Sequence, residues 1–228
     1  MKKQLAKLAL TAALGLALTL LACEDKEKKQ TPAATQQPPQ EAAATTFTDP
    51  RDSKTYKTVK IGEQVWMAEN LNYEAEGSRC YDDKPANCKK YGRLFDWGMA
   101  KTACPSGWKL PDTADWNKLA KTVGGKLRYE HIWTFWDDAS KTLKSKSEWV
   151  GNDNGTDDFG FSALPSGGLE LNGDGEELDF DNVGNRTAWW TATELDVYEF
   201  YIVYIYKENA GVGTSLGGAL FSVRCIQN

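Results

Sequence analysis

The sequence has little histidine and a deficit of basic charge. His131 is the one histidine in 228 residues, so any Ser/His/Asp or Cys/His arrangement would have to be built around it. Its neighbours Tyr129, Ile132 and Trp133 read as core or as a packed loop. The same scarcity weighs against zinc, because the cysteines after residue 23 include no pair at two-residue spacing. Lys and Arg number 27 against 32 Asp and Glu, and setting aside residues 1–22 with their three Lys leaves 24 basic residues and a net charge of −8. Such a chain lacks the basic face that nucleic acid requires. After residue 21 no long apolar run recurs, which argues against a further helical span.

The beginning of the chain is more informative. Met1-Lys2-Lys3 and Lys7 are positive, and Leu8–Leu21 follows as 14 residues with nothing more polar than Thr. That run is too short to cross a bilayer of about 30 Å but suits the apolar part of an export signal. Leu20-Leu21-Ala22-Cys23 resembles a bacterial lipobox. The expectation is cleavage after residue 22 and lipidation (palmitate-type acylation) of Cys23, with several acyl chains giving stable anchoring. An ordinary small-residue cleavage site is the rival reading. Glu24-Asp25-Lys26-Glu27 resembles the acidic export signals of surface lipoproteins. The expected location is therefore the outer membrane, facing the medium, with its periplasmic face as the alternative. Residues 23–46, rich in Gln, Pro and Ala, read as a flexible linker spanning about 25–30 Å.

From Phe47 to Asn228 the character changes, since all nine Trp, nine Tyr and eight Phe lie there. One domain of residues 47–228 with a substantial core is expected. Lys54–Ile61 alternates with period two, turns at Gly62-Glu63 and returns through Gln64–Met67, a hairpin pattern. Leu94–Ala103 reads as a helix. A second helix is capped by Asp112, carries Trp116, Leu119, Ala120 and Val123 on one stripe, and stops at Gly124-Gly125. Strands are expected at Phe159–Leu164, Ala188–Thr193, Tyr198–Tyr206 and Leu220–Ile226. The fold class is α+β, with two early helices, short antiparallel strands and long loops.

Five stretches together resemble a known family. They are Tyr56–Tyr73 (YKTVKIGEQVWMAENLNY), Tyr91–Trp97 (YGRLFDW), Ala103–Pro111 (ACPSGWKLP), Phe159–Pro165 (FGFSALP) and Phe221–Cys225 (FSVRC). In this order they are similar to the Fibrobacter succinogenes major paralogous domain, although Ala219-Leu220 stands where the family usually has Gly before the final Phe. The resemblance implies an exported, often lipidated protein of no established activity. It also implies a fold similar to C-type lectin-like domains and the formylglycine-generating enzyme group, an analogy that does not carry function.

Cys80, Cys88, Cys104 and Cys225 make an even set in an exported chain, which favours disulfides. Three connectivities are possible. Cys80–Cys88 would close a small loop and Cys104–Cys225 would clamp the helical half to the last strand. Formylglycine-type oxidases need free active-site thiols, so that activity is not supported. Calcium remains a possible cofactor: Asp153, Asp157 and Asp158 lie in one acidic loop and Asp174 in another. The bland reading is solvated turns.

Sugar binding needs flat apolar faces beside polar groups. Trp133 and Trp136 sit near Asp137 and Asp138, and Trp190 sits near Arg186 and Glu194. Adjacent Trp189 and Trp190 face opposite sides of a strand, so at most one is expected in the core. Trp66, Trp97, Trp108 and Trp116 are expected to be core. The overall expectation is a non-enzymatic surface module binding polysaccharide or other cell-surface components. A structural or protein-interaction lipoprotein is the alternative.

Overall fold

A computed structural model of the chain describes residues 45–172, 174 and 176–228. The expected signal segment, Cys23 and most of the expected linker lie outside the described residues. The fold begins with strand β1 (Thr45–Thr48), which pairs antiparallel with β2 (Thr55–Ile61). Thr45 and Thr46, expected to end the linker, therefore already belong to a sheet. β2 turns at Gly62 into β3 (Gln64–Met67), the hairpin its alternation predicts.

Three helices follow in the next 60 or so residues, one more than expected. α1 (Pro85–Tyr91) starts on a proline, whose fixed φ suits a first helical turn. β4 (Leu94–Phe95) comes next, then α2 (Trp97–Ala103). The expected helix over Leu94–Ala103 is thus shorter. Asp96 accepts from Met99 N at 2.7 Å as the N-cap, which leaves Leu94 and Phe95 extended to pair with the chain end. After β5 (Trp108–Lys109), α3 (Thr113–Thr122) starts on a reciprocal cap. Asp112 accepts from Asp115 N at 2.8 Å, and Asp115 accepts from Asp112 N at 3.2 Å. Trp116, Leu119 and Ala120 form its buried stripe.

The second half is mostly strand. β6 (Lys126–Glu130) and β7 (Trp133–Asp137) form a hairpin, followed by the short α4 (Ser140–Leu143). β8 (Ser166–Leu171) and β9 (Glu177–Val183) form another. β10 (Arg186–Glu194), β11 (Glu199–Tyr206) and β12 (Asn209–Leu216) make an antiparallel meander, and β13 (Phe221–Ser222) and β14 (Ile226–Gln227) end the chain. Phe159–Leu164 is not a strand. Ser162 takes a left-handed φ of 54° while its N–H and hydroxyl both donate to Asp157, so the segment bends and drops Phe161 and Ala163 into the core. Leu220–Ile226 is likewise broken into two short strands around a buried Val223-Arg224-Cys225.

The strands make two sheets. One is five-stranded in the order β1-β2-β3-β14-β5; the other runs β4-β13-β10-β11-β12-β7-β6, with β8 on β10 and β9 on β8. Mixed α+β architecture is therefore observed. Both faces of β10 are covered: Trp189 packs with Trp66, Trp116 and Trp136, and Trp190 packs with Phe95, Trp97 and Phe221. Burying two apolar layers this way is the dominant stabilising term. Trp66, Trp97, Trp108 and Trp116 are all buried, as expected. Disulfides join Cys80 to Cys88 and Cys104 to Cys225, the pairing that loop spacing favoured. No helix among the described residues is long and apolar enough to cross a membrane.

Candidate functional site

The two faces of the β10–β11–β12–β7–β6 sheet differ towards its β6 edge. Alternation puts Trp136, Thr134, Val203 and Val212 on the inner side, where they are buried. Trp133 and Phe135 from β7, Arg128 from β6, and Ile202, Tyr204 and Tyr206 from β11 share the opposite side by cross-strand register. Here a shallow groove of about 340 Å³ opens, lined by Trp133, Asn182, Arg186, Ile202, Tyr204, Tyr206 and Thr214.

Gly213 sets the position of its largest aromatic. A Cβ on Gly213 would lie 2.2 Å from Cζ3 of Trp133, so the indole rests against bare backbone of β12 and any side chain there would push it off. Trp133 keeps 39 % of its surface exposed, where Trp136 keeps 1 % and Trp190 none.

Polar groups rim this aromatic floor. Arg186 donates through Nη1 to Glu170 at 2.5 Å, and the other Glu170 oxygen accepts from Ser215 Oγ at 3.1 Å. Arg186 Nε and Nη2, Trp133 Nε1, the Tyr204 and Tyr206 hydroxyls and the Asn182 amide make no hydrogen bond to other described residues. Burial pushes the Tyr204 phenol up from its ordinary pKa, and the nearby Arg186 and Arg128 guanidinium groups offset part of that. The phenol is thus a neutral donor. Aromatic faces with unspent donors and acceptors can hold a ring whose C–H face is apolar and whose edge is hydroxylated.

Of the residues expected to bind sugar, the structure brings Trp133 and Arg186 together and separates the rest. Trp136 is a correction: its ring lies on the inner face, and its Nε1 donates to Asn117 Oδ1 at 2.9 Å. Trp190 is another, because helix α2 and strands β4 and β13 cover its side of the sheet and its Nε1 donates to Phe95 O at 2.7 Å. Both Trp189 and Trp190 are core, since β10 is sandwiched on both faces rather than one. Glu194 pairs with Lys101 at 3.0 Å and does not line the groove. His131 is exposed at the β6–β7 turn with a φ of 55°, not packed as expected.

The carboxylates of three of the four acidic residues considered for calcium have other partners. Asp153 pairs with Lys144, a lysine only 2 % exposed, at 2.6 Å. Asp157 holds Ser162, and Asp158 accepts from Thr156 at 2.8 Å. Asp174 N donates to Asn172, an Asn-built turn. Among the described residues no group of three or more His, Cys, Asp or Glu converges.

Sequence reading missed Tyr204, Tyr206, Ile202, Asn182, Thr214 and Gly213. One signal was available: Tyr204 and Tyr206 alternate against buried Val203 and Ile205, which marks a partly open stretch of that face.

A disulfide-stapled α+β domain of two sheets, with one open aromatic groove on the larger, is the class this geometry defines. The chain belongs to the family described as the Fibrobacter succinogenes major domain, whose pattern it matches over residues 59–227. No curated protein and no solved structure matches it.

Proposed function

We propose that this protein is an exported lipoprotein, anchored through Cys23 to the outer membrane, whose domain binds polysaccharide outside the cell without chemically altering it. The groove carries the reading: Trp133, Tyr204 and Tyr206 offer ring faces, while Arg186 and Asn182 offer polar atoms with bonding capacity to spare. Two disulfides support an oxidising compartment. All four described cysteines are paired, which favours a structural role for them over an oxidase-type one. The C-type lectin-like analogy belongs to this proposal as well, although the groove lies on sheet residues rather than on the Asp153 and Asp174 loops.

The test is retention of the detergent-solubilised full chain on immobilised polysaccharides. Wild type should be retarded and Trp133→Ala should not, with unchanged near-UV dichroism. Equal retention of the two would remove the groove from the binding site. Protease shaving of intact cells checks location, since a fully protected domain would place it in the periplasm.

A further inference from the structure

The larger sheet has an open edge. β6 (Lys126–Glu130) ends the strand order, and among the described residues no strand lies along its outer side. Its side chains are open as well: Tyr129 keeps 65 % of its surface exposed and the Lys126 side chain 80 %. Such an edge is a template for another strand, and a lysine on it ordinarily discourages that.

The hairpin fixes which backbone groups point outward. Glu130 pairs with Trp133 across the two-residue turn His131-Ile132, Arg128 pairs with Phe135, and Lys126 with Asp137. The residues that close a two-residue turn exchange backbone hydrogen bonds, and every second pair along the ladder does the same. Lys126, Arg128 and Glu130 therefore spend their N–H and C=O groups on β7, and Leu127 and Tyr129 aim theirs at the open side. Side chains alternate too. Lys126, Arg128 and Glu130 share the face of Trp133 and Phe135, whereas Leu127 and Tyr129 share the opposite face with Trp136 and Thr134.

In the reverse direction Lys126-Leu127-Arg128-Tyr129-Glu130 complements itself. An antiparallel copy centred on Arg128 sets Lys126 against Glu130 of the second copy at both ends, and Leu127 against Tyr129 of the second copy. The outward backbone groups of Leu127 and Tyr129 then meet as hydrogen-bonded pairs, as an antiparallel ladder requires. A slip of one residue would mismatch those groups. A slip of two would set Tyr129 against itself and Leu127 against His131, whose left-handed φ of 55° interrupts the ladder.

The dyad of the centred pair stands perpendicular to the sheet at Arg128. Each Arg128 is neutralised within its own copy by Glu130 and by Asp137 at 3.5 Å, and lies 4.4 Å over the Phe135 ring. Lys126 meets Asp138 at 2.9 Å in the single chain, an exposed pair of little energy that can be exchanged for Glu130 of the second copy. An interface this narrow is weak in dilute solution, but two chains tethered to one membrane meet at a far higher effective concentration.

We infer that two copies of this protein join edge to edge through β6, antiparallel and centred on Arg128, into one continuous sheet with both grooves on the same face. The test uses the full chain in detergent and in phosphatidylcholine vesicles. Cα atoms of a non-hydrogen-bonded antiparallel pair lie about 4.5 Å apart, within disulfide reach. Arg128→Cys should therefore give a covalent dimer on mild oxidation, mapped by mass spectrometry to position 128 of both copies. Tyr129→Cys, whose position does not face itself, should cross-link about tenfold more slowly or less. Lys126→Glu sets like charges together at both ends and should weaken the wild-type dimer about tenfold, read by analytical ultracentrifugation in density-matched detergent. Adding Glu130→Lys restores opposite charges and should restore the dimer. Cross-linking at position 129 as fast as at 128, or no rescue by the double exchange, would overturn the pairing. A wild type that is monomeric in both detergent and vesicles would overturn it too. None of these readouts depends on what the groove binds.

Discussion

Arg224 donates to Asn70 Oδ1 across 2.7 Å, in an interior that leaves the arginine only 1 % exposed. Its Nε reaches the same oxygen at 3.1 Å, its Nη1 donates to Phe161 O, and its plane lies over the Phe161 ring. Trp189 Nε1 donates to Asn70 Oδ1 as well, while Asn70 Nδ2 donates to Tyr91 O and Ser222 Oγ. No carboxylate forms an ion pair with Arg224 among the described residues, and burial pulls its pKa down to about 9. One amide thus joins the segment after β3 to α1, β10 and the chain end. Asn70→Ala should cost about 3 kcal/mol or more, because it strands a buried cation and an indole N–H together. Urea unfolding followed by tryptophan fluorescence would check this, and a loss under 1 kcal/mol would mean that water or a rearrangement replaces the amide.

Trp136→Ala and Trp190→Ala should each destabilise the fold by about 3–5 kcal/mol as core truncations. Trp133→Ala should change stability by less than about 1 kcal/mol, since its ring is partly in solvent already. Thermal melts of the three variants separate the two classes, and a large loss at Trp133 would make it a packing residue.

Gly213→Val should displace the Trp133 indole, since even a Cβ would come within 2.2 Å of it. The expected outcome is weakened polysaccharide retention with Trp133 still present. Unchanged retention would show that the ring position is not what the ligand reads.

The disulfides differ in reach: Cys104–Cys225 closes 121 residues of sequence separation and Cys80–Cys88 closes 8. On chain-entropy grounds, removing the first pair by double alanine substitution should cost about 5 kcal/mol and removing the second about 2.5 kcal/mol. Urea midpoints of the two double variants give the order. A larger loss at Cys80–Cys88 would contradict it.

Alkaline stability isolates Tyr56, whose phenol is pushed up to about 12 by burial while its oxygen accepts from Asn72 N. A folded pKa above the unfolded value of about 10 means stability is full below pH 10 and falls as pH rises towards 12. Arg224 acts with the opposite sign, since the unfolded chain keeps above about pH 9 a proton that the folded chain gives up. Comparison with Tyr56→Phe cancels the arginine contribution. The wild-type urea midpoint should drop more steeply above pH 10 than that of the variant, and parallel curves would refute the assignment.

Cys23→Ser should release the protein from membranes, as lipid is its proposed anchor. Retention after that change, with the signal still removed, would rule out the lipobox reading.

What the sequence determined by itself was whatever neighbouring residues settle between them. The β2–β3 hairpin follows from its alternation and Gly62, and α3 from Asp112, Asp115 and one apolar stripe. The disulfide pairs follow from loop spacing, and the burial of Trp66, Trp97, Trp108 and Trp116 from their motifs. Helix α1 was not legible, because it has no apolar stripe and is pinned from outside by the Cys88 disulfide and by Asn87 donating to Tyr81 O. Nor was the bend at Ser162, where a side-chain bond overrides a strand-like pattern. The groove was decided only in three dimensions. Trp133, Trp136 and Trp190 are alike in local sequence, and their exposure depends on which sheet face another element covers. α2 and β13 close over Trp190, α3 closes over Trp136, and Trp133 is left against the bare backbone of Gly213, a neighbour 80 residues away along the chain.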